Sequence, residues 1–278
     1  MKNKTKYAAL IVSAVITMSL NSFELAAQDE DEKPLSSDAA EVAKKLANPI
    51  ASLVSVPFQN NLDVGIGQFE GYKNTLNFQP VIPINLNEKW NLIARIVLPI
   101  ISQGDISAEG GKESGLGDAI VSAFFSPART KSGVVWGAGP CFLVPNATND
   151  MFASKKFGVG PTAVILKQVK GWTVGALMNQ IWSVSGSEDQ PDVNQMFLQP
   201  FVAFNWKSGA GFVVNSEMTK NWEGDTFSAF INPTFNGITK FGKQMVQLQA
   251  GPRIQVAAAG GNKAAFGARA SVVLVFPK

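Results

Sequence analysis

The run Val246-Gln247-Leu248-Gln249-Ala250-Gly251-Pro252-Arg253-Ile254-Gln255-Val256 decides the fold. Val246, Leu248, Ala250, Pro252, Ile254 and Val256 are apolar, and the residues between them are polar or small. Side chains of an extended chain point alternately to opposite faces, so this period of two describes a strand with one apolar and one polar face. The pattern recurs at 75–86, where Leu76, Phe78, Pro80, Ile82, Ile84 and Leu86 alternate with Thr75, Asn77, Gln79, Val81, Pro83 and Asn85. It runs again through 90–100, 195–206 and 266–276. From Ser55 onward there are about twelve such segments, each roughly 10–14 residues, the length a tilted membrane strand needs. An even count suits a bacterial outer-membrane barrel.

Which face is wet decides the class. A soluble sandwich would carry many Lys and Glu on its outer face. Here the polar face is Asn, Gln, Thr, Ser and Gly, and only 16% of the 278 residues are charged, against about 25% in a typical soluble domain. That composition suits a hydrated lumen with lipid outside. Trp90, Trp172, Trp182, Trp206, Trp222 and Phe276 fall near the ends of the apolar face. Trp172 and Trp182 are ten residues apart, and at about 3.3 Å per residue and a 45° tilt that nearly matches the spacing of two aromatic girdles. The connections alternate too. Segments 103–114, 146–156, 186–193, 221–226 and 257–264 are mostly long and rich in Gly, Asp and Glu. Segments 87–89, 128–133, 169–171, 207–211 and 242–244 are shorter and usually contain Lys or Arg. Long outside loops and short periplasmic turns are the outer-membrane pattern. Pro80, Pro83, Pro99, Pro140, Pro161, Pro200, Pro233 and Pro252 fall inside the expected strands. Pro cannot donate to a ladder, so a closed wall needs bulges or a ring of irregular pairing at these points.

The chain has no His and one Cys. Imidazole-based triads, His metal sites, intrachain disulfides and zinc clusters are therefore excluded. A formal charge of +3 gives no argument for nucleic acid. Lys2, Lys4 and Lys6, the uncharged run 8–20 and Leu25-Ala26-Ala27 have the layout of a signal peptide ending at residue 27. A run of thirteen uncharged residues is too short to span a bilayer as a helix. Residues 28–54 read as an acidic segment and a short helix: Ser36-Ser37-Asp38 can cap its start, Ala39, Val42, Ala43, Leu46 and Ala47 keep helical spacing, and Asn48-Pro49 should stop it. The plainer reading is a helix covering one end of the domain; the sharper is a plug that narrows a pore mouth.

The stretches Leu46-Ala47-Asn48-Pro49-Ile50-Ala51, Ser55-Val56-Pro57-Phe58-Gln59-Asn60-Asn61 and Gln79-Pro80-Val81-Ile82-Pro83 carry a resemblance. So do Ser114-Gly115-Leu116-Gly117-Asp118, Phe124-Phe125-Ser126-Pro127, Gly158-Val159-Gly160-Pro161-Thr162 and Val275-Phe276-Pro277-Lys278. Together they are similar to outer-membrane transporter-like proteins related to the MetA-pathway phenol-degradation family, sometimes labelled neuromedin U. The resemblance covers most of 46–278 and implies an outer-membrane barrel. It brings no catalytic or ligand residue with it.

By parity, Arg95, Asp118, Glu217, Arg253 and Arg269 face the lumen, with Asn77, Gln79, Asn179, Gln199, Asn215, Thr219, Asn232, Gln247 and Gln249. A last hairpin centred near 260–261 would set Arg253 opposite Arg269, and two adjacent guanidiniums need a carboxylate or an anionic ligand between them. These residues form either a constriction or substrate-contact ladder, or a packed lumen neutralised by Glu217 or Asp118. Gly115-Leu116-Gly117-Asp118 lacks the Lys-Ser/Thr of a phosphate loop. Asp105, Glu109, Glu113, Asp150, Glu188, Asp189 and Asp192 lack EF-hand spacing and read as solvated loop charge.

The sequence thus predicts an all-β, up-and-down transmembrane barrel of about twelve strands over 55–278, with a short helix after a signal peptide. It would sit in the cell outer membrane, contact its lipids, be inserted by the barrel-assembly machinery and pass small solutes passively, hydrophobic or aromatic compounds among the candidates. No catalytic set, cofactor, metal or nucleic acid is called for. The rivals are a structural barrel with a closed lumen and an outer-membrane enzyme using a carboxylate pair or a Ser-Lys dyad.

Overall fold

The computed structural model describes residues 35–130, 133–258 and 262–276. The expected signal peptide and the acidic stretch after it lie outside these residues. The twelve staves are β1 (Val54–Ile66), β2 (Gly71–Phe78, resuming at Val81–Asn85), β3 (Trp90–Gly104) and β4 (Lys112–Leu116, resuming at Ala119–Pro127). They continue as β5 (Val134–Val144), β6 (Lys156–Val169), β7 (Trp172–Gly186) and β8 (Asn194–Asn205). The last four are β9 (Gly211–Asn221), β10 (Thr226–Phe241), β11 (Gln244–Pro252, resuming at Ile254–Ala257) and β12 (Phe266–Phe276). Each pairs antiparallel with its neighbours in sequence. β1 closes on β12 from Val54↔Phe276 to Val64↔Phe266. Closure leaves no edge strand.

The barrel is inside out by soluble standards. Ile165, Val174, Phe235 and Leu248 are exposed on the outer wall, whereas Arg269 and Asn232 are 2% and 0% exposed. An apolar exterior around a polar interior is the solution for a wall that faces lipid. Trp90 packs edge-on against Trp136 at 5.9 Å, and Trp172 lies 4.9 Å from Phe204, all at one rim. Trp182 and Trp222 mark the opposite rim, and all six Trp are exposed. The expected girdles are therefore present.

The prolines locate most of the irregularities, although Pro83 lies in an unbroken stretch of ladder with β3. β2 breaks at Gln79-Pro80 and β11 breaks at Arg253, one residue after Pro252. β4 breaks opposite Pro99, where Gly117 N donates to the Pro99 carbonyl. Pairing lapses between Val159 and Thr162 on β6, around Pro161, and between Leu198 and Phe201 on β8, around Pro200. Glycine lets the backbones close up there: a Cβ on Gly160 would lie 1.7 Å from the Gln180 carbonyl oxygen, and one on Gly251 2.1 Å from that of Pro233.

The helix α1 (Leu35–Leu46) resolves the choice left by the sequence. Ala39, Val42 and Ala43 are buried. Its last turn is held from the barrel: Gln168 Nε2 donates to the Lys44 carbonyl at 2.9 Å and Asn205 Nδ2 to that of Ala43 at 3.5 Å. The first supplies a partner to a carbonyl at the helix end; the second adds to the bond that the Ala43 carbonyl already accepts from Ala47 N. The chain then turns inward, and Ile50 packs among Ile93, Phe124, Val164, Leu166, Leu177 and Phe201, whose strand neighbours face outward. The plug reading therefore replaces the plainer reading of a cover. The reason is packing: the bore at this end is lined by apolar side chains, which need an apolar filler. We call this mouth the helix end and the other the loop end.

Candidate functional site

Above the plug, the lumen is crossed by ionic and amide side chains from six adjacent staves, β8–β12 and β1. Glu217 on β9 is the hub. Its Oε1 accepts from Arg269 Nη2 at 2.7 Å, and its Oε2 accepts from the same nitrogen at 2.8 Å and from Arg253 Nη1 at 2.8 Å. Gln199 Nε2 reaches Oε1 at 3.4 Å. Arg269 Nε donates to Asn61 Oδ1 at 2.7 Å. Arg253 Nη1 also donates to Asn232 Oδ1 at 3.1 Å, and the guanidinium lies 3.5 Å above the Phe230 ring. Asp63 completes the set: its Oδ2 accepts from Arg253 Nε at 3.3 Å, while Oδ1 is buried and accepts no hydrogen bond. A carboxylate shared by two guanidiniums removes their mutual repulsion and satisfies much of their donor capacity.

The breaks in the wall place these groups. Glu217 and Gln199 face each other where β8–β9 pairing lapses, Arg253 occupies the β11 break, and Gln79 occupies the β2 break. A locally irregular strand re-aims its side chain, which is why three polar lumen groups sit beside Pro200, Pro252 and Pro80.

Several parity assignments meet in this cluster. Asn215 Oδ1 accepts from Asn232 Nδ2 at 2.8 Å and from Arg269 at 3.4 Å. Arg95 lies across the bore and donates to Gln79 Oε1 at 2.9 Å. Gln247 and Gln249 bond sideways to Asn236 and Thr234 on β10. Asn77, Asn179 and Thr219 make no side-chain hydrogen bond among the described residues. Asp118 serves elsewhere: it accepts from Ala147 N, Ser154 N and Ser154 Oγ, and so stitches the loop 145–155 onto the β4 break. The expected register of the last hairpin is off by two residues. Arg269 faces Gly251, and Arg253 N donates to the Gly267 carbonyl. The two guanidiniums are therefore diagonal, with room for Glu217 to bridge them.

Asn61, Asp63 and Lys73 belong to the site and were not anticipated. Lys73 lies directly across the β1–β2 ladder from Asp63. The signal was present in β1, where Asn61 and Asp63 alternate with Leu62 and Val64. In the midsection Lys73, Arg95, Arg253 and Arg269 stand against Asp63 and Glu217, an excess of positive charge.

Below the cluster are two adjoining cavities of about 160 and 180 Å³, which share Leu46, Pro49, Gln247 and Gln249. Fold and site together define a closed antiparallel barrel of the membrane type, with an ionic bridge and a plug in series along its lumen. No family model and no curated protein matches the sequence. Among solved structures, the COG4313 outer membrane channel from Pseudomonas putida F1 has a TM-score of 0.63 at 15% identity, covering 81% of this chain and 94% of that one. The NanC porin gives 0.48 at 9% identity, over 81% of this chain and 100% of that chain. The first likeness establishes a shared fold.

Proposed function

We propose that this protein is an outer-membrane channel for passive passage of small solutes, with its loop end outside the cell. The observation that carries the reading is a closed wall with lipid-compatible residues outside and a polar interior, which a barrel needs only if its interior is to be wetted. The neighbouring channel fold supports it. So does the resemblance of 46–278 to the MetA-pathway phenol-degradation family, which we propose as the chain's family. Outer-membrane lipids would contact the apolar wall, and the barrel-assembly machinery would insert it after secretion by the segment 1–27.

One observation favours a second reading, a structural barrel with a closed lumen: the ionic bridge and the Ile50 plug each occupy the bore. Planar-bilayer conductance of the refolded chain separates the two. The channel reading expects ion conductance whose selectivity changes in the variants R253S and R269S. A barrel that folds, inserts and never conducts would establish the closed one.

A further inference from the structure

The larger cavity combines features that the rest of the lumen keeps apart. Arg95 lines it, and a guanidinium carries five N–H donors in a planar fork. Among the described residues Arg95 makes a single side-chain hydrogen bond, to Gln79. Glu217 is already bonded to Arg253, Arg269 and Gln199 and gives it none. Beside Arg95 the cavity presents Gln79, Gln249 and Ser271; toward the plug it presents Leu53, Val81 and Val273. One wall therefore offers a fixed cation with unused donors and the other an apolar surface, with Lys45, Asn48, Ser55 and Gln59 also on the lining. An interior guanidinium favours a carboxylate, which it can hold through two parallel hydrogen bonds. The apolar wall favours a hydrocarbon body on that carboxylate. Size sets the limit: the cavity is about 180 Å³, and dry cavities of about 150 Å³ accept benzene.

We propose that this cavity is a binding site for a small monocarboxylate with an apolar body no larger than about one ring. The headgroup pairs with Arg95 and the body lies against Leu53, Val81 and Val273. The excess of positive charge in the midsection draws the anion toward the site, and the plug forms its floor. The site rests on the channel reading only for access, since a solute must enter the lumen to reach it.

Benzoate is the probe, with benzamide as its uncharged shape-mate and inorganic phosphate as an anion without a body. Calorimetric titration of the full chain in detergent micelles should show benzoate binding about tenfold or more tighter than benzamide, and tighter than phosphate, because charge-assisted bonds are about twice as strong as neutral ones. R95Q should weaken benzoate about tenfold or more. R95K should retain part of the affinity, and L53W, which fills the cavity and keeps the cation, should abolish binding. Heat-modifiable gel migration verifies that each variant folds. Equal binding of benzoate and benzamide, equal binding by folded R95Q, phosphate as tight as benzoate, or no benzoate binding at all overturns the site. Bilayer conductance is read separately. Benzoate binding without conductance leaves the site and removes the channel, whereas conductance without benzoate binding does the reverse.

Discussion

The two halves of one lumen are closed by different physics. At the helix end, inward positions of β3, β4, β6, β7 and β8 are Ile93, Phe124, Val164, Leu166, Leu177 and Phe201, and Ile50 fills the space between them. In the midsection, inward positions of β1, β9, β10, β11 and β12 are Asn61, Asp63, Glu217, Asn232, Arg253 and Arg269, which satisfy one another. The apolar half depends on a segment outside the wall, and its contacts are non-directional. The ionic half is made by the wall itself, and each member needs its partners in place. The same β-alternation thus supports a removable closure at one level and a built-in one at the next.

The largest expected effect breaks the ionic half. Replacing Glu217 by Gln leaves Arg269 without a carboxylate and Arg253 with Asp63 alone, which should cost about 3–5 kcal/mol. Urea unfolding of the refolded barrel in micelles measures it, and a loss under 1 kcal/mol would remove the hub role. A sharper version replaces Glu217, Arg253 and Arg269 together by apolar residues of similar volume. That triple change should recover part of the loss, because Asp63 is then the charge deprived of its guanidinium, and Lys73 still lies across the ladder from it.

Next comes the apolar half. I50A should cost about 2 kcal/mol, the low end for such a truncation, because a plug segment can settle into the space. Its signature should differ from that of Glu217: raised conductance with little change in ion selectivity. If selectivity shifts as much as it does in R253S, the two closures are not separate. On the outer wall, Met178 is exposed near the middle of β7. M178R should cost about 2–4 kcal/mol in lipid if that level is the bilayer midplane, a penalty that equilibrium unfolding from vesicles would register.

The smallest effect lies outside the membrane. Lys156 Nζ donates to Asp192 at 2.9 Å and Ser183 Oγ at 3.1 Å. The Lys156 hydrogen bond, with that of Ser183, holds the Asp192 carboxyl below the usual aspartate range. A depressed folded-state pKa contributes stability above the unfolded value, lost as pH falls through the folded one. D192N and the wild type should therefore differ slightly in Tm near neutral pH and converge in acid. A difference that grows as pH falls would contradict this.

Much of this was legible in the sequence because alternation reports a local property. Residues 246–256 could only be a two-faced strand, and the scarcity of Lys and Glu on the polar face placed that face inside. The prolines also announced themselves, since a missing N–H is a local fact. That Asp118 meets the loop 145–155 instead of the arginines was not legible, because a side chain at a break bonds to whatever loop crosses it, and that loop is distant in sequence. Asn61 and Asp63 were legible in pattern, yet their role depended on β12 returning to β1 across about two hundred residues of chain.

The sequence by itself determined the strand period, the sidedness of the wall and the absence of imidazole chemistry. These follow from each residue and its near neighbours. Only the tertiary structure decided that Glu217 bridges Arg253 and Arg269, that Ile50 plugs the helix end, and that Arg95 is left facing a cavity. Register, bulges and barrel closure set those distances, and all three are fixed by pairings between residues far apart in the chain.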